Sequence, residues 1–158
     1  MEELFLNKGG KMRPIRWIMV KEDCAPYFVS DAAGVTAFAQ DVLKLHEKDR
    51  EHFVVLLLNT KTEIIGYETV SIGILDGSLV HPREVFKPAV AASAHRIILL
   101  HNHPSGDPTP SAEDKKVTEE LKKCGDIMKI SIADHVIMGT KRYYSFEEGG
   151  GTNERSDR

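Results

Sequence analysis

The sequence predicts a mixed domain, helices and strands around a central sheet, of the α/β or α+β class. Three observations carry this. The runs His52–Asn59 and Arg96–Leu100 are dense in Val, Ile and Leu and too short for core helices, so they read as buried strands. Two longer segments, Ser30–Leu45 and Ser111–Cys124, repeat apolar residues at helical spacing or present an amphipathic charged face. Turn chemistry separates them: Asp76-Gly77, and a stretch from 104 to 110 holding Pro104, Gly106, Pro108 and Pro110.

Taken in order, Ile15–Val20 reads as a first strand. Val35, Phe38, Ala39, Val42 and Leu45 recur on one face of a helix over Ser30–Leu45, with Ser30 or Asp31 as its cap. The buried strand His52–Asn59 follows. A second strand, Ile64–Ile74, carries an irregularity at Gly66. Arg83–Ala94 reads as a helix that Pro88 must kink, unless that proline sits in its first turn. Then come the strand Arg96–Leu100, the stiff loop 104–110, and the helix Ser111–Cys124, ended by Gly125. Ile130–Met138 is a strand and Arg142–Phe146 a final one. The tail from Gly149 to Arg158 has three consecutive glycines and is expected to be disordered. One domain, 29–148, therefore lies between an extension (1–28) and a tail (149–158).

The chain has 158 residues, enough for one sizeable core. Its net charge of −3 argues against a nucleic-acid binder driven by bulk charge. No apolar run approaches membrane-spanning length and the N-terminus lacks the pattern of a signal peptide, so a cytoplasmic location is expected. Cys24 and Cys124 form no C-x-x-C pair, which excludes cysteine-based zinc motifs, and are expected to be free thiols.

Chemistry concentrates between 101 and 114. His101 and His103, at i and i+2 of a strand end, point to one side and can hold one ion between them. The chain then turns through the prolines into a helix whose first turn carries Asp114, a third ligand. Three N/O ligands leave a fourth position for water, the mark of a catalytic rather than a structural zinc. Ser111-x-x-Asp114 is also a helix-capping pattern, and both roles can coexist.

The pattern His101-x-His103-x7-Ser111-x2-Asp114 resembles the JAMM motif of the JAB/MPN metalloprotease superfamily. The strings LLHNHPSGDPTPSAED (99–114) and VHPREVFKPA (80–89) are similar to the RadC branch. LLLNTK (56–61), ADHVIMG (133–139) and YSFEEGG (144–150) extend the likeness over about 29–148. The three letters His-Asn-His are not the HNH nuclease motif, whose residues lie far apart in sequence.

The resemblance implies an MPN-type α/β/α sandwich with a mixed sheet, layered like cytidine deaminases. It implies one zinc per chain on His101, His103 and Asp114, with Ser111 bonding the water or the developing oxyanion. It also requires a glutamate that moves the water's proton. Glu84, in Pro82-Arg83-Glu84-Val85, is the best match, and Glu68 is its rival. Asp134 and His135 are candidates to orient a ligand imidazole. Asn102 falls on the opposite face, where packing is expected. Arg83 could meet a substrate anion, whereas His46, His52, His81 and His95 carry no spacing signal and Asp107 and Glu113 read as solvated charges. The implied activity is zinc-dependent hydrolysis of a peptide or isopeptide bond. The alternatives are a DNA-repair-associated accessory protein or a metal-binding interaction module without turnover. RadC-like proteins usually carry a helix-hairpin-helix region before this domain. The first 30 residues are too few for it, so direct DNA binding is not expected.

Overall fold

A computed structural model describes residues 26–73 and 80–153. The expected strand Ile15–Val20, the Asp76-Gly77 turn, Cys24 and residues 154–158 lie outside them. Among the described residues Cys124 is a free thiol.

The long apolar runs form the middle of one six-stranded sheet. Strands β1 (Glu51–Leu58), β2 (Ile64–Gly73), β3 (Arg96–Asn102), β4 (Ser131–Met138), β5 (Arg142–Ser145) and β6 (Gly149–Thr152) lie in the order β2-β1-β3-β4-β5-β6. Only β3 and β4 pair in parallel, so the sheet is mixed. The parallel pair requires a crossover, and helix α3 (Ala112–Met128) supplies it.

Alternation along β1 sorts side chains into two cores. Val54, Leu56 and Leu58 pack with Val35, Phe38 and Ala39 of helix α1 (Ala32–Asp41). Phe53, Val55 and Leu57 pack with Val85, Phe86 and Ala89 of helix α2 (Pro82–Ala91) and Val117 and Leu121 of α3. Helices therefore cover both faces, giving the α/β/α sandwich that the resemblance implied.

Several elements depart from their expected bounds. Asp31, not Ser30, caps α1, its Oδ1 accepting from Gly34 N–H at 2.7 Å. This helix stops at Asp41; Lys44 turns left-handed at φ 53°, and a 3₁₀ turn (Leu45–Glu47) buries Leu45 instead. Pro88 lies inside α2, past its first turn, and the helix ends three residues later. Gly125 does not end α3, which continues to Met128 and closes on Lys129 at φ 58°. Its role is close approach: a Cβ at Gly125 would lie 2.6 Å from the carbonyl oxygen of Ile130. The tail expected from Gly149 onward begins instead as strand β6, paired with β5. The irregularity expected at Gly66 is a register shift where Leu57 and Leu58 face Gly66 and Ile64.

Candidate metal centre

The parallel strand β3 ends on the same side of the sheet as the N-terminus of α3. His101 lies next to last in β3, within its buried run, and β1 pairs with it through Phe53↔His101. Phe53 stacks on the imidazole at 5.8 Å between ring centroids. Ser111 caps α3: its Oγ accepts from Asp114 N–H at 3.0 Å, and Asp114 Oδ2 accepts from Ser111 N–H at 2.7 Å. That capping box holds the Asp114 carboxylate in the first helical turn, where the helix dipole also favours an anion.

The result is a cluster of three donors. His101 Nε2 lies 3.0 Å from His103 Nε2 and 3.3 Å from Asp114 Oδ1; His103 Nε2 lies 3.4 Å from Asp114 Oδ2. Ligands at about 2.0–2.1 Å from one tetrahedral zinc are themselves about 3.3 Å apart, so these spacings fit such an ion. The tautomer fits as well. His103 Nδ1 donates to the Asp107 carbonyl at 2.8 Å, which leaves Nε2 of the neutral ring as a lone pair aimed into the cluster. His101 and Asp114 are buried, whereas the His103 side chain is 12% exposed, so the centre opens on that side. Among the described residues these three form the one group of His, Cys, Asp and Glu able to hold a metal.

Electrostatics follow from the crowding. Burial holds His101 below the ordinary histidine range. For His103 burial acts downward too, but the Asp114 carboxylate and the Asp107 carbonyl outweigh it and raise the imidazole. Burial alone would raise Asp114; the adjacent imidazoles of His101 and His103 and the bond from Ser111 instead hold it far below the usual carboxylate range.

A family model described as RadC-like JAB domain matches residues 29–151, and the His101, His103 and Asp114 cluster lies within it.

The chain belongs to the RadC-like JAB domain family.

Similar proteins carry the name UPF0758. One from Chlorobaculum parvum is 50% identical over 115 residues, covering 70% of this chain and 52% of that protein. One from Staphylococcus haemolyticus is 52% identical over 107 residues, covering 68% and 47%. One from Caldanaerobacter subterraneus subsp. tengcongensis is 57% identical over 101 residues, covering 64% and 43%. The chain thus spans about half the length of the curated relatives it matches.

Within the RadC-like JAB domain the remaining candidates separate clearly. Glu84 is not brought to the ligands. It sits in the first turn of α2, its carboxylate bound to Arg83 Nε at 3.1 Å and near Lys87 Nζ at 3.8 Å; Arg83, then Lys87, lower its pKa. Both partners line a groove against Cys124, Ile127 and Met128. At 1.5 Å rise per residue, that end of α3 lies about 15 Å or more from Asp114. The string 80–89 folds as the start of α2, which faces Glu84 toward Arg83 and Lys87. Glu68 lies exposed on β2 opposite Val55.

The carboxylate that does arrive is Glu51. Extending the Phe53↔His101 register by two residues sets Glu51, the first residue of β1, across from His103. Its charge pulls both imidazoles upward as a minor contribution, outweighed at His101 by burial. It is half-buried and lines a cleft of about 490 Å³ with Asp49, Arg50, Gly73, Pro104 and Ser105. Sequence reading missed it because its position depends on how β1 pairs with β3.

Asn102 is more than packing. Its Oδ1 accepts from His52 N–H at 2.8 Å and its Nδ2 donates to Arg50 O at 3.0 Å, so it clasps the backbone on either side of Glu51. The Asp134 carboxylate accepts from His135 N–H, Ser145 Oγ–H and Glu147 N–H, tying β4 to the turn after β5, and burial raises its pKa. His135 meets the site directly, its Nε2 2.8 Å from His101 Nδ1; burial, then the neighbouring His101, keep its pKa well below the ordinary value. Ser111 Oγ donates to Asp114 Oδ2 at 2.7 Å at the exposed rim of the centre. Arg83 belongs to the α2 groove, and His81 caps α2, its Nδ1 accepting from Arg83 N–H at 3.0 Å.

Proposed function

We propose that this RadC-like JAB domain is a zinc-dependent hydrolase of peptide or isopeptide bonds. The observation that carries the reading is the convergence of two imidazole lone pairs and a buried carboxylate on one point, with Glu51 beside them at an open cleft. Zinc held by His101, His103 and Asp114 would supply Lewis acidity and lower the pKa of water at the site. Glu51 takes the proton of the attacking water and returns it to the leaving nitrogen. The Ser111 hydroxyl turns from Asp114 to donate to the carbonyl oxygen as that oxygen gains charge. Asn102 keeps Glu51 in register, and Phe53 holds the His101 ring.

The net charge of −3 gives DNA no electrostatic footing on the chain as a whole, so a direct role on DNA is not part of this reading. The test is zinc content and hydrolysis of a peptide and isopeptide panel by wild type, His103→Ala and Glu51→Gln. We expect one zinc per chain in wild type and Glu51→Gln and none in His103→Ala. Turnover should fall about 10²–10⁴-fold in Glu51→Gln. Absence of zinc in the wild type overturns the reading. Zinc without turnover on any substrate would favour a metal-binding interaction module.

A further inference from the structure

We propose that Thr118 and His135 are positioning residues that fix the tautomer of His101, so that its Nε2 presents a lone pair to the metal site. This rests on the zinc reading above.

Thr118 Oγ1 lies 2.6 Å from the main-chain oxygen of Asp114 and 2.6 Å from His135 Nδ1. A hydroxyl has a single proton and a carbonyl oxygen can only accept, so that proton points to Asp114 O. Toward His135 the hydroxyl is therefore an acceptor, and His135 Nδ1 must carry hydrogen. His135 Nε2 is then bare and accepts from His101 Nδ1 at 2.8 Å. With its hydrogen on Nδ1, His101 turns a bare Nε2 toward Asp114 Oδ1 and His103.

The surroundings forbid the easy escape of adding a second proton. The His135 ring is fully buried, stacked on Phe146 at 5.0 Å and 8° and met edge-on by Phe53 at 5.5 Å. Neither of its ring nitrogens bonds a carboxylate, so a cation there would be desolvated without compensation. The relay also closes on itself. It starts at the carbonyl of Asp114 and ends at the imidazole beside that residue's own carboxylate, so one helical turn sets both ligands. His103 needs no relay, because the Asp107 carbonyl fixes its tautomer directly.

Removing the Thr118 hydroxyl frees His135 to move its hydrogen to Nε2. His101 Nδ1 then becomes the acceptor, and the His101 hydrogen sits on Nε2, where it blocks the metal. The experiment uses metal-free protein labelled with ¹⁵N-histidine, above the ordinary histidine range. Long-range ¹H–¹⁵N correlations read each tautomer, and zinc affinity is measured by competition with a chelating dye. We expect Nδ1–H forms of His101 and His135 in wild type. Thr118→Val should show mixed tautomers and zinc affinity lower by about 10–100-fold, and Thr118→Ser should restore both. A wild-type His101 in the Nε2–H form overturns the proposal, and this needs no variant to fold. So does Thr118→Val with wild-type tautomers and affinity. A wild type with the expected tautomers that binds no zinc would overturn the metal reading and leave the relay standing.

Discussion

At the scale of single residues, His103 makes the centre sensitive to pH. Its pKa is raised in the metal-free fold, so its pairing with Asp114 stabilises that fold fully below the unfolded histidine value of about 6.5. That contribution is lost as pH rises through the higher folded value. Zinc needs the neutral imidazole and gains in the same window. The rise in Tm on adding zinc should therefore be larger near pH 8 than near pH 6, measured by thermal melts with and without the metal. Equal rises at both would show that His103 gives up no proton on binding. The grouping of His101, His103 and Asp114 was legible because they are near neighbours in sequence, and strand and helix periods alone place them together. Glu51 and Asn102 were not, since strand register relates each to a partner about fifty positions away.

At the scale of elements, all three α-helices and the four longer strands among the described residues were readable from periodicity and apolar runs, and their ends were not. Gly125 shows why. A glycine after an apolar run signals a helix end, yet here α3 passes through it because the chain at Ile130 returns across its Cα. Gly125→Ala would gain roughly 0.5–1 kcal/mol of helix propensity. The clash with a backbone oxygen, which cannot rotate away, costs roughly 1–3 kcal/mol. We expect a lower urea midpoint with an unchanged m-value; a higher midpoint would mean that the Ile130 turn yields freely. β6 was hidden for a related reason. Three glycines carry no strand propensity, but Gly151 faces Tyr143, whose ring lies where a Cβ would be, 2.2 Å from its Cζ. The strand depends on the absence of a side chain.

Over the whole molecule, the two faces of the sheet divide the labour. The α1 layer is an apolar support, whereas the α2–α3 side carries the ligands, Glu51 and the relay. Zinc at about a hundred times its Kd would add about 2.7 kcal/mol of stability. In hydrogen–deuterium exchange the added protection should centre on β3, the loop 104–110 and the first turns of α3. Protection centred on α1 would place the ion elsewhere.

The loop between His103 and Asp114 has a consequence for how the centre forms. Its three prolines restrict the unfolded chain to fewer shapes, and in the fold Gly106 N–H donates to His103 O at 2.9 Å. The entropy lost in bringing a short, stiff loop's ends together is small, and it grows only slowly with length. Strand and helix end can therefore meet before the distant edges of the sheet assemble. An ion captured at that stage would act as a local clip, guiding the β3–α3 unit toward its native register while Glu51, from a remote strand, arrives last.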